Sequence, residues 1–215
     1  MTDARPLAAA ILAGGQARRL GGANKAALEI GGIRIFDRQI ALLHQITSAV
    51  FVVGGDRGPW TDTGIRAVAD DMPGTGALGG IYTAIRASPC ERTLVVGCDM
   101  PFLSAAFLRR LAAVDNADLV IPRSRRGYEP LCAVYGRACA RDIHERLARR
   151  ALEASTLPQG VRVAEIGPEV IAAYDPDDLL FVNVNTPHDY ARAKGLIEVK
   201  PKPTEDRITT DDTDS

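Results

Sequence analysis

The chain has 215 residues, with 26 basic and 27 acidic side chains and a formal net charge of −1. A chain of this size can bury its own core without disulfide or metal staples, so one domain is expected. The balanced charge excludes a general nucleic-acid binder but leaves room for a local basic pocket that takes one phosphorylated ligand. Aromatic residues are only 5%, so the core must be built from Ala, Val, Leu and Ile. Cys90, Cys98, Cys132 and Cys139 form no CxxC pair. That points to reduced thiols in a cytoplasmic protein rather than to a zinc site or a disulfide scaffold. The apolar run Leu7–Ala13 is too short to span a bilayer and lacks signal-peptide flanks, so no membrane attachment is expected.

In chain order, short apolar runs closed by Gly, Asp or Pro alternate with stretches of helical spacing. Strands buried on both faces are expected at Ala8–Leu12, Ala49–Val53, Thr93–Gly97, Asp118–Ile121, Leu131–Tyr135, Val161–Ile166 and Leu180–Val184. A further strand is expected to end at Val68–Met72. Helices are expected at Ile35–Ile46, Leu78–Ala87, Ser104–Ala113 (with Ser104 as N-cap), Ala138–Ala154 and Pro187–Leu196, the last with Pro in its first turn. Such alternation predicts an α/β architecture with a mostly parallel sheet. Residues 1–200 read as a single domain. Residues 201–215 carry a charge of −3 and almost no large apolar groups, which predicts a disordered acidic tail and leaves a body of charge +2.

The first segment that carries chemistry is Leu12-Ala13-Gly14-Gly15, running on through Arg18, Arg19, Gly21, Gly22 and Asn24 to Lys25. It follows a strand directly. Glycines there let the backbone approach a ligand, and consecutive N–H groups can converge on phosphate oxygens. Arg18, Arg19 and Lys25 add positive charge. The segment is neither a GxxxxGK[ST] loop, since Ala26 and Ala27 follow the lysine, nor a GxGxxG fingerprint. A flexible Gly-rich turn with solvated arginines is the alternative; the position after the first strand favours a nucleotide triphosphate.

Two acidic sites follow. Asp70-Asp71 stands before Gly74, Gly76, Gly79 and Gly80, and reads either as a ligand site or as an Asx-turn. Asp99, in Gly97-Cys98-Asp99-Met100-Pro101, ends an apolar strand, where one carboxylate could hold Mg²⁺ against phosphate oxygens. Cys98 reads as a small core residue. Asn183 and Asn185, two apart on an expected strand, would share one face, to read a ligand or to satisfy local backbone. Arg123, Arg125 and Arg126 read as a solvated run or as a phosphate or protein contact. His44, His144 and His188 stand beside no motif.

Together, the Leu12–Lys25 loop, Val68-Ala69-Asp70-Asp71, Cys98-Asp99-Met100-Pro101, Tyr128-Glu129-Pro130-Leu131-Cys132-Ala133-Val134-Tyr135 and Phe181-Val182-Asn183-Val184-Asn185-Thr186-Pro187 resemble segments of the nucleotidyltransferases. More narrowly, the chain resembles the molybdenum cofactor guanylyltransferases. The resemblance covers roughly residues 7–197. It implies a three-layer α/β/α, Rossmann-like nucleotide-diphospho-sugar transferase fold and an enzyme that moves GMP from GTP onto the terminal phosphate of Mo-molybdopterin, releasing pyrophosphate. It also implies Mg²⁺ as cofactor, held by Asp99, and Arg19, Lys25 and Asp99 as catalytic residues. GTP would meet Leu12, Ala13, Gly14, Gly15, Lys25, Gly54, Asp71 and Asp99. The acceptor would meet Gly22, Gly76, Gly80, Asn183 and Asn185. Implied partners are GTP, Mo-molybdopterin and, transiently, molybdenum-insertion and molybdoenzyme-chaperone proteins, with no nucleic acid and no membrane. Three positions depart from the family pattern: Asn24 stands where Asp is common, Gly54 where many members carry Asn, and Ala148-Arg149-Arg150-Ala151 where a Gly-x-Arg is usual. Two other readings stand beside this one: a CTP-dependent molybdopterin or sugar-phosphate nucleotidyltransferase, and a non-catalytic molybdopterin-binding carrier module.

Overall fold

A computed structural model describes residues 5–14, 27–54, 58 and 60–198. The first strand, β1 (Leu7–Leu12), is followed by two short antiparallel strands, β2 (Glu29–Ile30) and β3 (Ile33–Arg34), and by helix α1 (Ile35–Leu43). Next come β4 (Val50–Val53), β5 (Arg66–Val68), α2 (Gly76–Ala87), β6 (Arg92–Gly97) and α3 (Ala105–Ala112). The second half comprises β7 (Leu119–Ser124), β8 (Gly127–Tyr128), β9 (Cys132–Gly136), α4 (Cys139–Ala148), β10 (Val163–Ile166), α5 (Pro168–Ala172) and α6 (Pro187–Glu198).

The main sheet has the order β10-β7-β9-β6-β1-β4-β5, with β8 paired to β7. Along that path β9 runs antiparallel to both of its neighbours, and the other pairs are parallel. Side chains alternate between the two faces of each strand. Ala9 and Ile11 of β1 join a core layer with Phe36 of α1 and Phe107, Leu108 and Leu111 of α3. Ala8, Ala10 and Leu12 join the opposite layer with Ile81 and Ile85 of α2 and Ile143 and Leu147 of α4. The sheet is thus covered on both faces, the three-layer arrangement expected from its continuous apolar strands.

Ser104 caps α3 as anticipated, its Oγ accepting the Phe107 N–H at 3.1 Å. Other expectations need correction. Leu180–Val184 is irregular, not a strand. Its N–H groups are committed elsewhere: Leu179 and Leu180 donate to the Asp175 carboxylate at 2.8 Å each, Val182 to Leu179 O, and Val184 to Asp99 O. Within the segment this takes the Leu180, Val182 and Val184 donors, every second one, away from a ladder. Helix α4 stops at Ala148, because Arg150 turns into the left-handed region (φ 60°) and the N–H of Ala151 closes back onto Arg146 O. Cys98 is half-buried at the rim of the core rather than inside it. The β2–β3 hairpin was not anticipated, although Leu28-Glu29-Ile30-Gly31-Gly32-Ile33-Arg34 carries its signal: alternating residues about a Gly-Gly turn with φ 62° and 74°. Among the described residues no helix is long and apolar enough to cross a membrane. Residues 201–215 lie outside the described residues.

Candidate active site

The register of the parallel strands lines up their carboxyl ends. Leu12 pairs with Gly97 on one side and Val53 on the other, and Val53 pairs with Val68. One further row of hydrogen bonds closes this edge: Ala13 N–H to Val53 O (2.8 Å), Gly54 N–H to Val68 O (3.0 Å), Cys98 N–H to Leu12 O (3.1 Å) and Gly97 N–H to Leu131 O (2.9 Å). Beyond that row the chain leaves the sheet at Gly14, Gly54, Asp70-Asp71 and Asp99. Antiparallel β9 begins at the same edge, which brings Leu131 beside Gly97. Ligands of open α/β sheets bind at such an edge. Helix α2 also starts from it, with no side-chain cap on its first N–H groups.

Two glycines are closely packed at this edge. A Cβ on Gly54 would lie 3.0 Å from the Ala13 carbonyl carbon and 3.1 Å from Trp60 Cη2. Trp60, buried and 5.7 Å from the Phe36 ring, fills the space that a side chain at position 54 would need. An asparagine at this position would need Trp60 to give way by a few tenths of an ångström. A Cβ on Gly97 would lie 2.9 Å from Asp99 Oδ1, so glycine there lets the half-exposed Asp99 side chain fold back over the end of β6.

The two neighbouring acids divide. Asp70 Oδ1 accepts the Met72 N–H and the Thr83 hydroxyl, both at 3.0 Å. Thr83, fully buried on α2, in turn accepts the Asp71 N–H at 3.0 Å. Asp70 thus builds the turn, and Asp71 is left exposed at the edge.

Asp99 is held through its main chain. Its carbonyl accepts the Val184 N–H at 2.9 Å, which docks the Phe181–Asn185 segment against the site. Phe181 and Val184 are buried, Phe181 edge-on to Phe107 at 5.8 Å, while Asn183 is exposed and Asn185 half-buried. Asn185 and Thr186 donate their N–H groups to Asp189 Oδ2 at 3.1 and 2.8 Å, and Thr186 Oγ1 accepts the Asp189 N–H at 3.1 Å. This reciprocal cap starts α6, and the bonding from Thr186, then from Asn185, holds the Asp189 carboxyl below its ordinary range. A shared strand face for Asn183 and Asn185 does not exist, because the segment is not a strand.

On the β9 side, Glu129 Oε1 accepts from Ser124 Oγ at 2.7 Å, while burial pushes its carboxyl above the usual range. Of the three neighbouring arginines, Arg123 pairs with Glu165 (3.7 Å) and lies over the Tyr128 ring, and Arg126 pairs with Asp178 (3.4 Å).

The edge thus gathers Leu12, Ala13, Gly14, Gly54, Asp71 and Asp99. Gly76 stands exposed at the start of α2, whereas Gly80 is buried against Leu12 Cδ1. Gly15, Arg19, Gly22 and Lys25 lie outside the described residues. Sequence reasoning missed Thr83 and Gln39, both buried polar side chains. Gln39 interrupts the apolar stripe Ile35, Phe36, Leu43 of α1, a signal open to detection. As to metal, no group of three or more His, Cys, Asp or Glu forms a cage among the described residues. One half-exposed carboxylate at such an edge, Asp99, fits the donor set that Mg²⁺ accepts together with phosphates and waters.

These features define a nucleotide-binding α/β protein with the architecture of a nucleotidyltransferase. Residues 9–163 match the family described as the MobA-like NTP transferase domain. A "probable molybdenum cofactor guanylyltransferase" of Pelotomaculum thermopropionicum is 34% identical over 189 residues, spanning 87% of this chain and 92% of that protein. A molybdenum cofactor guanylyltransferase of Desulfosudis oleivorans is 30% identical over 190 residues, spanning 87% and 94%. Among solved structures, the molybdopterin-guanine dinucleotide biosynthesis protein A of Archaeoglobus fulgidus matches with a TM-score of 0.69 at 24% identity, over 88% of this chain and 98% of that one. The chain belongs to the MobA-like NTP transferase family, and it is a nucleotidyltransferase.

Proposed function

We propose that the protein transfers GMP from GTP to the terminal phosphate of Mo-molybdopterin, forming the guanine dinucleotide and pyrophosphate. The observation that carries this reading is the meeting of two parts of the chain at Asp99. The carboxyl ends of β1, β4, β5 and β6 supply a nucleotide edge, and the Val184 N–H fastens the Asn183–Asn185 segment, our proposed acceptor side, to the Asp99 carbonyl. The family and its curated relatives support guanine over cytosine, and a catalyst over a carrier.

The attacking group is a phosphate that is already anionic, so no general base is required. A phosphate oxygen of the acceptor forms a bond to the α-phosphorus of GTP while the bond to the β-phosphate oxygen breaks and pyrophosphate leaves. The protein's task is to hold the two anions in line and to offset their charge. Leu12, Ala13, Gly14 and Gly54 form the floor for the nucleoside end. Asp71 is assigned to the nucleotide and Asp99 to Mg²⁺. Arg19, Lys25 and Gly15 are assigned to the phosphates, and Gly22 and Gly76 to the acceptor, from their places in the sequence pattern. Mg²⁺, when bound, supplies charge neutralisation at the α-phosphoryl group. Free thiols at all four cysteines support a cytoplasmic setting.

The test is incubation of the protein with GTP or CTP, Mg²⁺ and Mo-molybdopterin, reading pyrophosphate and the dinucleotide. Product with GTP and little with CTP is expected. Product with CTP alone, or none with either nucleotide, overturns the reading. Asp99→Ala is expected to lower turnover by at least about a hundredfold, the scale of one lost electrostatic contact, with an unchanged unfolding midpoint. Full activity in that variant removes Asp99 from the metal site.

A further inference from the structure

We propose that Gln39 is a positioning residue for Asp99: its amide, reaching up from α1, sets the turn that presents the metal-binding carboxylate. This rests on the assignment of Asp99 to the metal.

Helix α1 buries Ile35, Phe36, Gln39 and Leu43 along one stripe. Gln39 is 1% exposed. Its Nε2 donates to Gly97 O at 2.5 Å and to Met100 O at 3.2 Å. Both partners are carbonyls, which can only accept, so the amide must face them with its NH₂ group. These two carbonyls bracket Cys98 and Asp99, and one side chain therefore fixes the entry and exit of the turn. Other supports come from other directions: Leu12 O takes the Cys98 N–H at 3.1 Å, and the Val184 N–H reaches Asp99 O at 2.9 Å.

The other end of the amide argues that this is not simply core packing. Gln39 Oε1 is buried without a hydrogen-bond partner among the described residues. Burying an acceptor in that state is unfavourable, and the surrounding stripe is apolar. Methionine or leucine would fill the same space without the orphan oxygen, but neither could hold the two carbonyls. The amide thus works on the loop rather than on the fold. Groups that orient a metal ligand without touching the metal typically alter metal affinity by about 10–100-fold when removed.

The test compares full-length wild type with Gln39→Met, Gln39→Leu and Asp99→Asn. Both Gln39 variants should remain folded, with an unfolding midpoint lowered at most modestly, because losing the orphan oxygen offsets part of the cost of stranding two carbonyls. Amide hydrogen exchange at residues 98–100, measured without metal or nucleotide, should quicken by about tenfold or more. The Mg²⁺ concentration for half-maximal pyrophosphate release should rise by about tenfold, with KM for GTP at saturating Mg²⁺ little changed. Wild-type exchange and metal dependence in a folded Gln39 variant overturn the proposal. So does loss of the fold in both variants, which would make Gln39 a structural residue. Wild-type metal dependence in Asp99→Asn would instead overturn the metal assignment, and the exchange data would then still report whether Gln39 holds the loop.

Discussion

Asp70 and Asp71 are chemically identical neighbours, and the partner that separates them, Thr83, lies on a helix 13 positions beyond Asp70. Thr83 donates to the Asp70 carboxylate and accepts the Asp71 N–H, so one acid is consumed by the turn and the other is turned outward. Asp70→Ala would strand the buried Thr83 hydroxyl and the Met72 N–H. It is expected to cost about 1–3 kcal/mol of stability in denaturant titration. Asp71→Ala should stay within about 0.5 kcal/mol of wild type in the same titration, while raising KM for GTP. Turn chemistry alone did not rank these two residues, because either could serve an Asx-turn; only the family resemblance set Asp71 toward the nucleotide. Asp99 was legible at once, since a single acid closes an apolar strand just before Met100-Pro101.

Among the elements, α3 illustrates what local chemistry determines. Ser104 precedes a stretch of helical spacing, and its hydroxyl meets the Phe107 N–H. Ser104→Ala is expected to lower stability by about 1 kcal/mol, measured as a shift in the denaturation midpoint. The opposite case is Phe181–Asn185. Its residues have strand-like composition, yet its donors go to Leu179, Asp99 and Asp189. The one distant partner, Asp99, leaves no trace in local periodicity. The same segment also contributes Val184 to a small apolar cluster with Ile30, Ile35 and Ala193, so the hairpin, α1 and α6 close together beside the site.

At the scale of the whole molecule, register sets the candidate site: Leu12, Val53, Val68 and Gly97 end in one row, and that row is the edge proposed as the active site. The far part of the sheet is tied by Asp118, just before β7, and Arg162, just before β10. Arg162 grips both carboxylate oxygens through its guanidinium (3.0 and 3.1 Å) and one of them through its N–H (3.0 Å). These hydrogen bonds hold the Asp118 carboxyl at about 2, against an ordinary 3.8. Because the folded value is the depressed one, the stabilisation is fully present above the ordinary value. It is lost as pH falls through the folded value. Unfolding midpoints of wild type and Asp118→Asn should therefore differ by a constant amount near neutral pH. The difference should shrink as pH falls from about 4 to about 2. An unchanged difference across that range would remove the ion pair from the acid response.

The amino-acid sequence by itself determined the alternation of strands and helices, the covered, mostly parallel sheet and the acid at the end of β6. Each of these is written in side-chain period or turn chemistry within a few residues. Only the tertiary structure decided that Thr83 takes Asp70 into the turn and leaves Asp71 exposed, that Trp60 packs beside Gly54, that Phe181–Asn185 is docked on Asp99 rather than paired as a strand, and that Gln39 braces the same turn from below. Those outcomes depend on strand register and on hydrogen bonds between residues far apart in the chain, and no local pattern encodes either.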